Sequence, residues 1–436
     1  MENNLKPIKF EDSGKLLRIL DSIEYSPLAA WINVSGTVPK TTITPESALE
    51  NLHKKYEQLL QEFPTLRLKI VDIDGKKYYK YADNEEIQFN NLIKIVKGIT
   101  PLQDGLSEWF EIDKAPLWRL ELSETENEKT KIRLKICHGI IDGRGAFDVL
   151  DLFYCLALDK PFTERLNNFR NQPAIYDFGK KSWYTEEIIK KGFVEPEINF
   201  KALQVELNPP IARPSHVIHP QWDVPYGPIS SFCRKYGVTP QAIVMAIQNE
   251  ALRAYHKGKI DNIPLILFCP VDNRKYPYST ELFKKALFFY HIGNIYPIVY
   301  KKDDFLENIL HCYKEFKEAY NTKEACISGY SSCIMMDENG KYVNNFTKPL
   351  DPSRNNYTYA SHLGLVGEGL DDLNFSNQIA VYDDFYFLNF YGFHNKKTFY
   401  FSINGPYNCP KEFFQMYKDT SMKYYDFIVK NIEGKN

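Results

Sequence analysis

The chain has 436 residues, with 54 lysines and arginines against 56 aspartates and glutamates, for a net charge of −2. Its 44% hydrophobic and 25% charged content is that of a soluble globular protein long enough for two or three domains and for a core that needs no disulfide or metal. The charge balance, with a pI of about 6.5, excludes the chain-wide basic excess that duplex nucleic-acid binders carry, so no nucleic-acid partner is expected.

The opening MENNLKPIKFEDSG has no apolar core of the signal-peptide kind. The longest strongly apolar run, Ile263–Val271, has nine residues and two prolines, against the ~20 that a membrane span needs. A cytoplasmic chain without a membrane span is expected. The eight cysteines stand at 137, 155, 233, 269, 312, 326, 333 and 409, with no C-x-x-C pair. That scatter predicts buried thiols in a reducing compartment, and neither disulfides nor a metal site.

Along the chain, Thr44 and Pro45 open a helix whose apolar positions Leu49, Leu52, Tyr56, Leu59 and Phe63 keep helical spacing, and Pro64 ends it. Leu66–Val71 and Lys77–Tyr81 read as a strand pair around the turn dipeptide Asp74-Gly75. Leu117–Leu122 and Ile132–Cys137 read as a second pair, the latter alternating Ile132, Leu134 and Ile136 with Arg133 and Lys135. A helix is expected from about Ala146. The stretch 196–228 is proline-rich and aperiodic, and reads as a crossover linker between an N-terminal subdomain (1–195) and a C-terminal one (229–436). In the second half, helices are expected at Ile229–Tyr236 with Gly237 as its cap, from Thr239-Pro240 to near Gly258, over Asp303–Tyr320 and over Lys411–Val429. Strands are expected at Pro264–Val271, Tyr357–Leu365, Phe385–Tyr391 and Thr398–Ile403. Each half mixes strands and helices, an α/β (α+β) pattern that favours two sandwich-like halves with a cleft between them.

The chemical signal is Cys137-His138-Gly139-Ile140-Ile141-Asp142-Gly143. A strand delivers His138 to a loop, a carboxylate follows four residues later, and a glycine permits a tight turn into a helix. Histidine titrates near neutral pH, so it can take a proton from an alcohol, amine or thiol. A buried Asp142 would need a cationic partner.

With these residues in view, the sequence resembles the acyltransferase superfamily that carries the H-H-x-x-x-D-G motif. Its members include chloramphenicol acetyltransferase, the condensation domains of nonribosomal peptide synthetases, the plant H-x-x-x-D acyltransferases and the alcohol acetyltransferase family. Flanking segments share the likeness: Glu62-Phe63-Pro64-Thr65-Leu66-Arg67, Ala115-Pro116-Leu117-Trp118-Arg119-Leu120, Tyr236-Gly237-Val238-Thr239-Pro240, Cys269-Pro270-Val271-Asp272-Asn273-Arg274, Gly293-Asn294 and Tyr359-Ala360-Ser361-His362-Leu363-Gly364. Length and style stand nearest the alcohol acetyltransferase branch.

The resemblance implies two chloramphenicol-acetyltransferase-like sandwich subdomains, each a mixed sheet with helices, and an active-site tunnel at their interface. His138 would be the general base for attack of an alcohol or amine on an acyl thioester. Asp142 would be structural, partnered by Arg67 first and Arg274 second, and Gly143 would allow the turn. Asn294 and Ser361 would be polar groups near the developing oxyanion or the tunnel. No tightly bound cofactor is implied; coenzyme A enters as cosubstrate, and a monomer is expected. The alternatives are a stand-alone condensation-type domain using donors on an acyl carrier protein, and an inactive relative serving as a binding module.

The sequence departs from the motif at its first histidine, which is Cys137. A nucleophilic Cys137 is disfavoured, because no cation can be placed beside it from sequence. His216 and His219 read as a solvated linker pair, Gly364–Gly369 as a loop, and His394 as a surface histidine.

Overall fold

The computed structural model describes residues 7–20, 30–100, 116–175, 217–218, 220–272, 274, 286–288, 292–295, 297–321, 358–379, 389–406 and 410–433. In the first half, strand β1 (Leu16–Ile19) belongs to a small sheet, and β2 (Ala30–Pro39) to a larger one. Helix α1 (Pro45–Glu62) begins where its sequence dictates: the Thr44 side chain accepts from the Ser47 amide at 3.2 Å, and Pro45 fills the first helical position. Pro64–Arg67 then makes one 3-10 turn into β3 (Leu68–Ile73), so Leu66 lies ahead of the strand rather than in it. β4 (Lys76–Tyr81) returns through Asp74 and Gly75, at φ 54° and 77°, the left-handed pair that a two-residue hairpin needs. The small sheet runs β1-β4-β3.

A short helix α2 (Phe89–Leu92) leads into β5 (Ile93–Thr100), and β6 (Trp118–Thr125) and β7 (Lys129–Cys137) follow. β7 lies between β6 and β2, both antiparallel to it, and Cys137 stands opposite Trp31. β5 runs parallel to β6. Helix α3 (Gly143–Ala157) buries Ala146, Phe147, Leu150 and Phe153, and packs on β2, β7 and α1. A short α4 (Glu164–Asn167) follows.

The second half begins with β8 (Val217–Ile218), β9 (Gln221–Pro225), α5 (Tyr226–Tyr236) and α6 (Pro240–Tyr255). Gly237 caps α5 at φ 65°, as its sequence position requires. Then come β10 (Leu265–Asp272), β11 (Ile292–Ile295), β12 (Ile298–Val299), α7 (Phe305–Asn321), β13 (Thr358–Leu365), β14 (Asp371–Ile379), β15 (Asn389–His394), β16 (Thr398–Pro406) and α8 (Lys411–Glu433). The eight-stranded sheet has the order β11-β10-β13-β15-β16-β8, with β12 on β10 and β9 on β16. Asn308 of α7 ties α6 to α8, accepting from Asn249 at 3.0 Å and donating to the Tyr424 hydroxyl at 2.6 Å.

Two features depart from the expected division of the chain. Residues 217–228, expected in the linker, form β8, β9 and the start of α5, and both strands pair with β16. Residues 196–216 lie outside the described residues, with His216; His219 lies outside them too. β14, from late in the chain, pairs antiparallel with β2 and completes the five-stranded sheet β14-β2-β7-β6-β5 of the first lobe, Phe375 standing opposite Val34. A boundary read from composition follows the chain, whereas sheet membership follows hydrogen bonds made hundreds of residues apart. Buried side chains of both lobes form one continuous apolar core.

No described helix is long and apolar enough to cross a membrane. The described cysteines 137, 155, 233, 269 and 312 are buried thiols with no disulfide among the described residues; 326, 333 and 409 lie outside the described residues.

Candidate active site

β7 ends at Cys137, and His138–Ile140 makes a single 3-10 turn. That turn folds the imidazole back on its own loop, where Nδ1 lies 2.7 Å from the Ile141 carbonyl. A carbonyl only accepts, so Nδ1 carries the proton and Nε2 presents a lone pair. Burial pushes the His138 pKa below its ordinary 6.5, outweighing the opposing pull of backbone hydrogen bonds. The residue as a whole keeps 8% of its surface exposed. The result is a neutral imidazole, its tautomer fixed, able to take a proton through Nε2.

Asp142 is the N-cap of α3, which therefore starts at Gly143 rather than near Ala146: Oδ1 accepts from the Gly145 amide at 2.7 Å. Its Oδ2 lies 2.8 Å from Nη2 of Arg274, and Arg274 Nε donates to Asp272 Oδ1, also at 2.8 Å. Burial raises the Asp142 carboxyl above its ordinary value, against the opposing pull of Arg274 and the Gly145 amide. Oδ1 has the Gly145 amide and Oδ2 the Arg274 guanidinium as its ion-pair partner, the two groups that favour the anion. Burial alone would lower the Arg274 pKa, but the Asp142 and Asp272 carboxylates raise it above its ordinary value.

Arg67, the partner expected first, is elsewhere. It pairs with Asp12 at 2.6 Å, between the rings of Phe10 and Tyr81 at 4.2 and 4.3 Å. Its place on the turn into β3 directs it to the small sheet, where it pins the N-terminal segment.

Gly143 marks a close approach between the lobes. A Cβ there would stand 3.3 Å from the Phe375 ring of β14 and 3.4 Å from Leu363 of β13. Ser361 is buried in β13, opposite Tyr391 of β15. It lies two residues from Leu363, and alternation puts both on one face, so the face carrying Ser361 turns toward the motif. Asn294 pairs through its backbone with Pro270 in the β10–β11 ladder; its side chain lies outside the described residues.

Other residues complete the neighbourhood. Cys137 is fully buried and its thiol is pushed up to about 12 by that burial, so it is a protonated thiol at neutral pH and a poor nucleophile. His394 is buried rather than on the surface. It stacks on Tyr226 at 3.8 Å and donates through Nδ1 to the Asn395 carbonyl, 3.0 Å away, which fixes a proton on that nitrogen too. Gln241 closes a split in the second sheet. Among the described residues, β10 and β13 pair only at Leu267–Thr358 and Phe268–Tyr359; beyond, the Gln241 amide donates to the Ala360 carbonyl at 2.9 Å and accepts from the His362 amide at 2.7 Å. The sequence singled out neither Gln241 nor Arg144, which bridges α3 to β13. Position two of a helix gives no pattern for Gln241, but Arg144 directly follows Gly143, the last residue of the motif. Among the described residues, no cluster of His, Cys, Asp and Glu has the arrangement of a metal site.

Neither a protein-family model nor a curated protein matches the sequence. Solved structures do. Trichothecene 15-O-acetyltransferase from Fusarium sporotrichioides superposes with a TM-score of 0.61 at 11% identity, over 97% of this chain and 99% of its own. A second F. sporotrichioides protein, solved with coenzyme A and T-2, gives 0.55 at 13%, over 93% and 98%. A condensation domain that mediates chain release from the enacyloxin polyketide synthase gives 0.53 at 11%, over 98% and 84%. This chain has the two-lobed chloramphenicol-acetyltransferase-like fold. At such identities the likeness is one of fold, a fold used by acyltransferases and condensation domains alike.

Proposed function

We propose that this protein is an acyltransferase that moves an acyl group from a coenzyme A thioester to an alcohol or amine, with His138 as general base. The observation that carries the reading is the His138 tautomer: Nδ1–H is committed to the Ile141 carbonyl at 2.7 Å, and burial keeps the ring neutral. The acceptor hydroxyl or amine gives its proton to Nε2 as its lone pair attacks the thioester carbonyl carbon. The tetrahedral intermediate then collapses to ester or amide, and the departing thiolate takes the proton back from Nε2. Ser361 and Asn294 are the polar groups assigned to the oxyanion. Asp142 and Arg274 act on the loop and not on the proton, because Nδ1 faces a backbone carbonyl. The likeness to alcohol-acylating and coenzyme-A-bound structures supports the donor and acceptor classes. Both halves of the site come from one chain, which suits a cytoplasmic monomer.

The test is thiol release from acyl-CoAs of acetyl to octanoyl length with pooled alcohols and amines. Acceptor-dependent release that falls by about 10²-fold or more in His138→Ala is expected. Equal release by both proteins would sink the role of His138. The condensation-domain likeness favours a second reading, in which the donor is held on an acyl carrier protein. It requires turnover with a carrier-bound acyl thioester and none with the free coenzyme A esters. Silence with every donor would point to a binding module.

A further inference from the structure

At the N-terminus of α3 the two lobes exchange charged groups in both directions. Asp142 of the first lobe receives Arg274 of the second. Arg144, two residues on, reaches the opposite way: Nη1 donates to the Leu363 carbonyl at 3.4 Å and to the Leu365 carbonyl more closely. Gly364, between those carbonyls, is left-handed at φ 84°, where the β13–β15 register slips. A Cβ on it would lie 3.5 Å from Arg144 Nη1. The bulge thus turns two successive odd-numbered carbonyls toward one guanidinium, which a regular strand presents on the same edge but not convergently. Behind Arg144 stands the buried Asp148. It holds Arg165 through both oxygens, at 2.8 and 2.7 Å, and lies 3.7 Å from Arg144 Nη2.

We propose that Arg144 is a positioning residue that fixes the Gly364 bulge, and with it the Ser361 face of β13, relative to His138. It touches no reacting atom. Its effect on turnover rests on the acyl-transfer reading above; its hold on the bulge does not. A planar guanidinium suits the task, because its fork addresses two carbonyls and a carboxylate at once, whereas a lysine offers a point charge. The two contacts with the second lobe, Asp142–Arg274 and Arg144–β13, flank Gly143, where the lobes approach within van der Waals distance. Together they define the separation of His138 from β13, and a 1 Å misplacement of reacting groups costs on the order of 10²-fold in rate.

The experiment compares wild type, Arg144→Met, Arg144→Lys, Gly364→Ala and the Arg144→Met/Gly364→Ala double variant by amide hydrogen exchange, thermal melting and steady-state kinetics. The kinetic probe is the acyl-CoA and acceptor giving the highest wild-type rate in the panel above. In Arg144→Met, exchange at residues 358–366 is expected to quicken by about tenfold or more while α6 and α8 keep their protection. His138-dependent kcat should fall ~10²-fold, with the donor KM within about threefold. Arg144→Lys should recover part of both, and the double variant should lose less than the sum of the singles. Exchange unchanged at 358–366, or quickened evenly through both lobes, overturns the proposal, as does full additivity. If wild type releases thiol no faster than His138→Ala, the acyl-transfer reading fails, and local exchange and additivity in melting decide whether Arg144 holds the bulge.

Discussion

At the scale of single residues, the site turns on where protons sit. His138 is neutral because burial penalises imidazolium. A base with a lowered pKa stays competent at lower pH, so the acid limb of kcat/KM should fall below pH 6.5, and activity should be level from there to neutrality. A limb above 6.5 in the pH–rate profile would contradict the buried, neutral ring. Asp151 on α3 presents the reverse case. Its Oδ1 is out of water with no hydrogen-bond partner among the described residues, and burial, with Asp148 nearby, pushes the carboxyl up from 3.8 to about 8. Between those values the native state holds a proton that the unfolded chain has released, so this group costs stability increasingly as pH rises from 3.8 to about 8. Asp151→Asn should therefore stabilise the protein by about 1–3 kcal/mol at pH 8, with the gain shrinking toward pH 4. Urea melts at both values check the sign.

At the scale of elements, the α3 N-terminus concentrates the energetic risk. Arg274→Met leaves the Asp142 carboxylate buried without its cation, a change that costs about 3–5 kcal/mol. Adding Asp142→Asn should recover part of that loss, measured as a shift of the denaturation midpoint at unchanged m. The element is also where legibility can be judged. Thr44-Pro45, Asp74-Gly75 and Gly237 are local devices, and the helix, hairpin and cap they announce are all present. A carboxylate ahead of Gly143 and Gly145 can bond backbone amides or an internal arginine, and Asp142 does both: one oxygen caps the helix and the other meets Arg274. The choice between Arg67 and Arg274 has no local signal: Arg67 stands 75 positions before Asp142 and Arg274 132 positions after it, and only the assembled lobes decide. β2 and β14 carry no clear local signal for a related reason. In β14 the alternation of Leu373 and Phe375 with Asn374 and Ser376 is brief, and its partner lies far away in the chain.

At the scale of the molecule, β14 makes the two lobes interdependent. Its pairing with β2 is reinforced by Asp372, which accepts from Thr37 and from Lys129 at 2.7 Å each. A chain cut at a protease site introduced within 196–216 should therefore stay one particle on size exclusion and separate only in denaturant. Fragments that part under native conditions would show that the β14–β2 ladder and the α3 contacts do not hold the lobes together.

The same strand sets a clock on biosynthesis. β2 leaves the ribosome early, and the strand that covers its outer edge follows roughly 330 residues later, a delay of about 20–60 s at ~5–20 residues per second. Through that interval the nascent first lobe carries a raw sheet edge, the feature by which partly made chains recruit one another. Translation speed and holding chaperones should consequently govern the yield of this protein more than the stability of the finished fold.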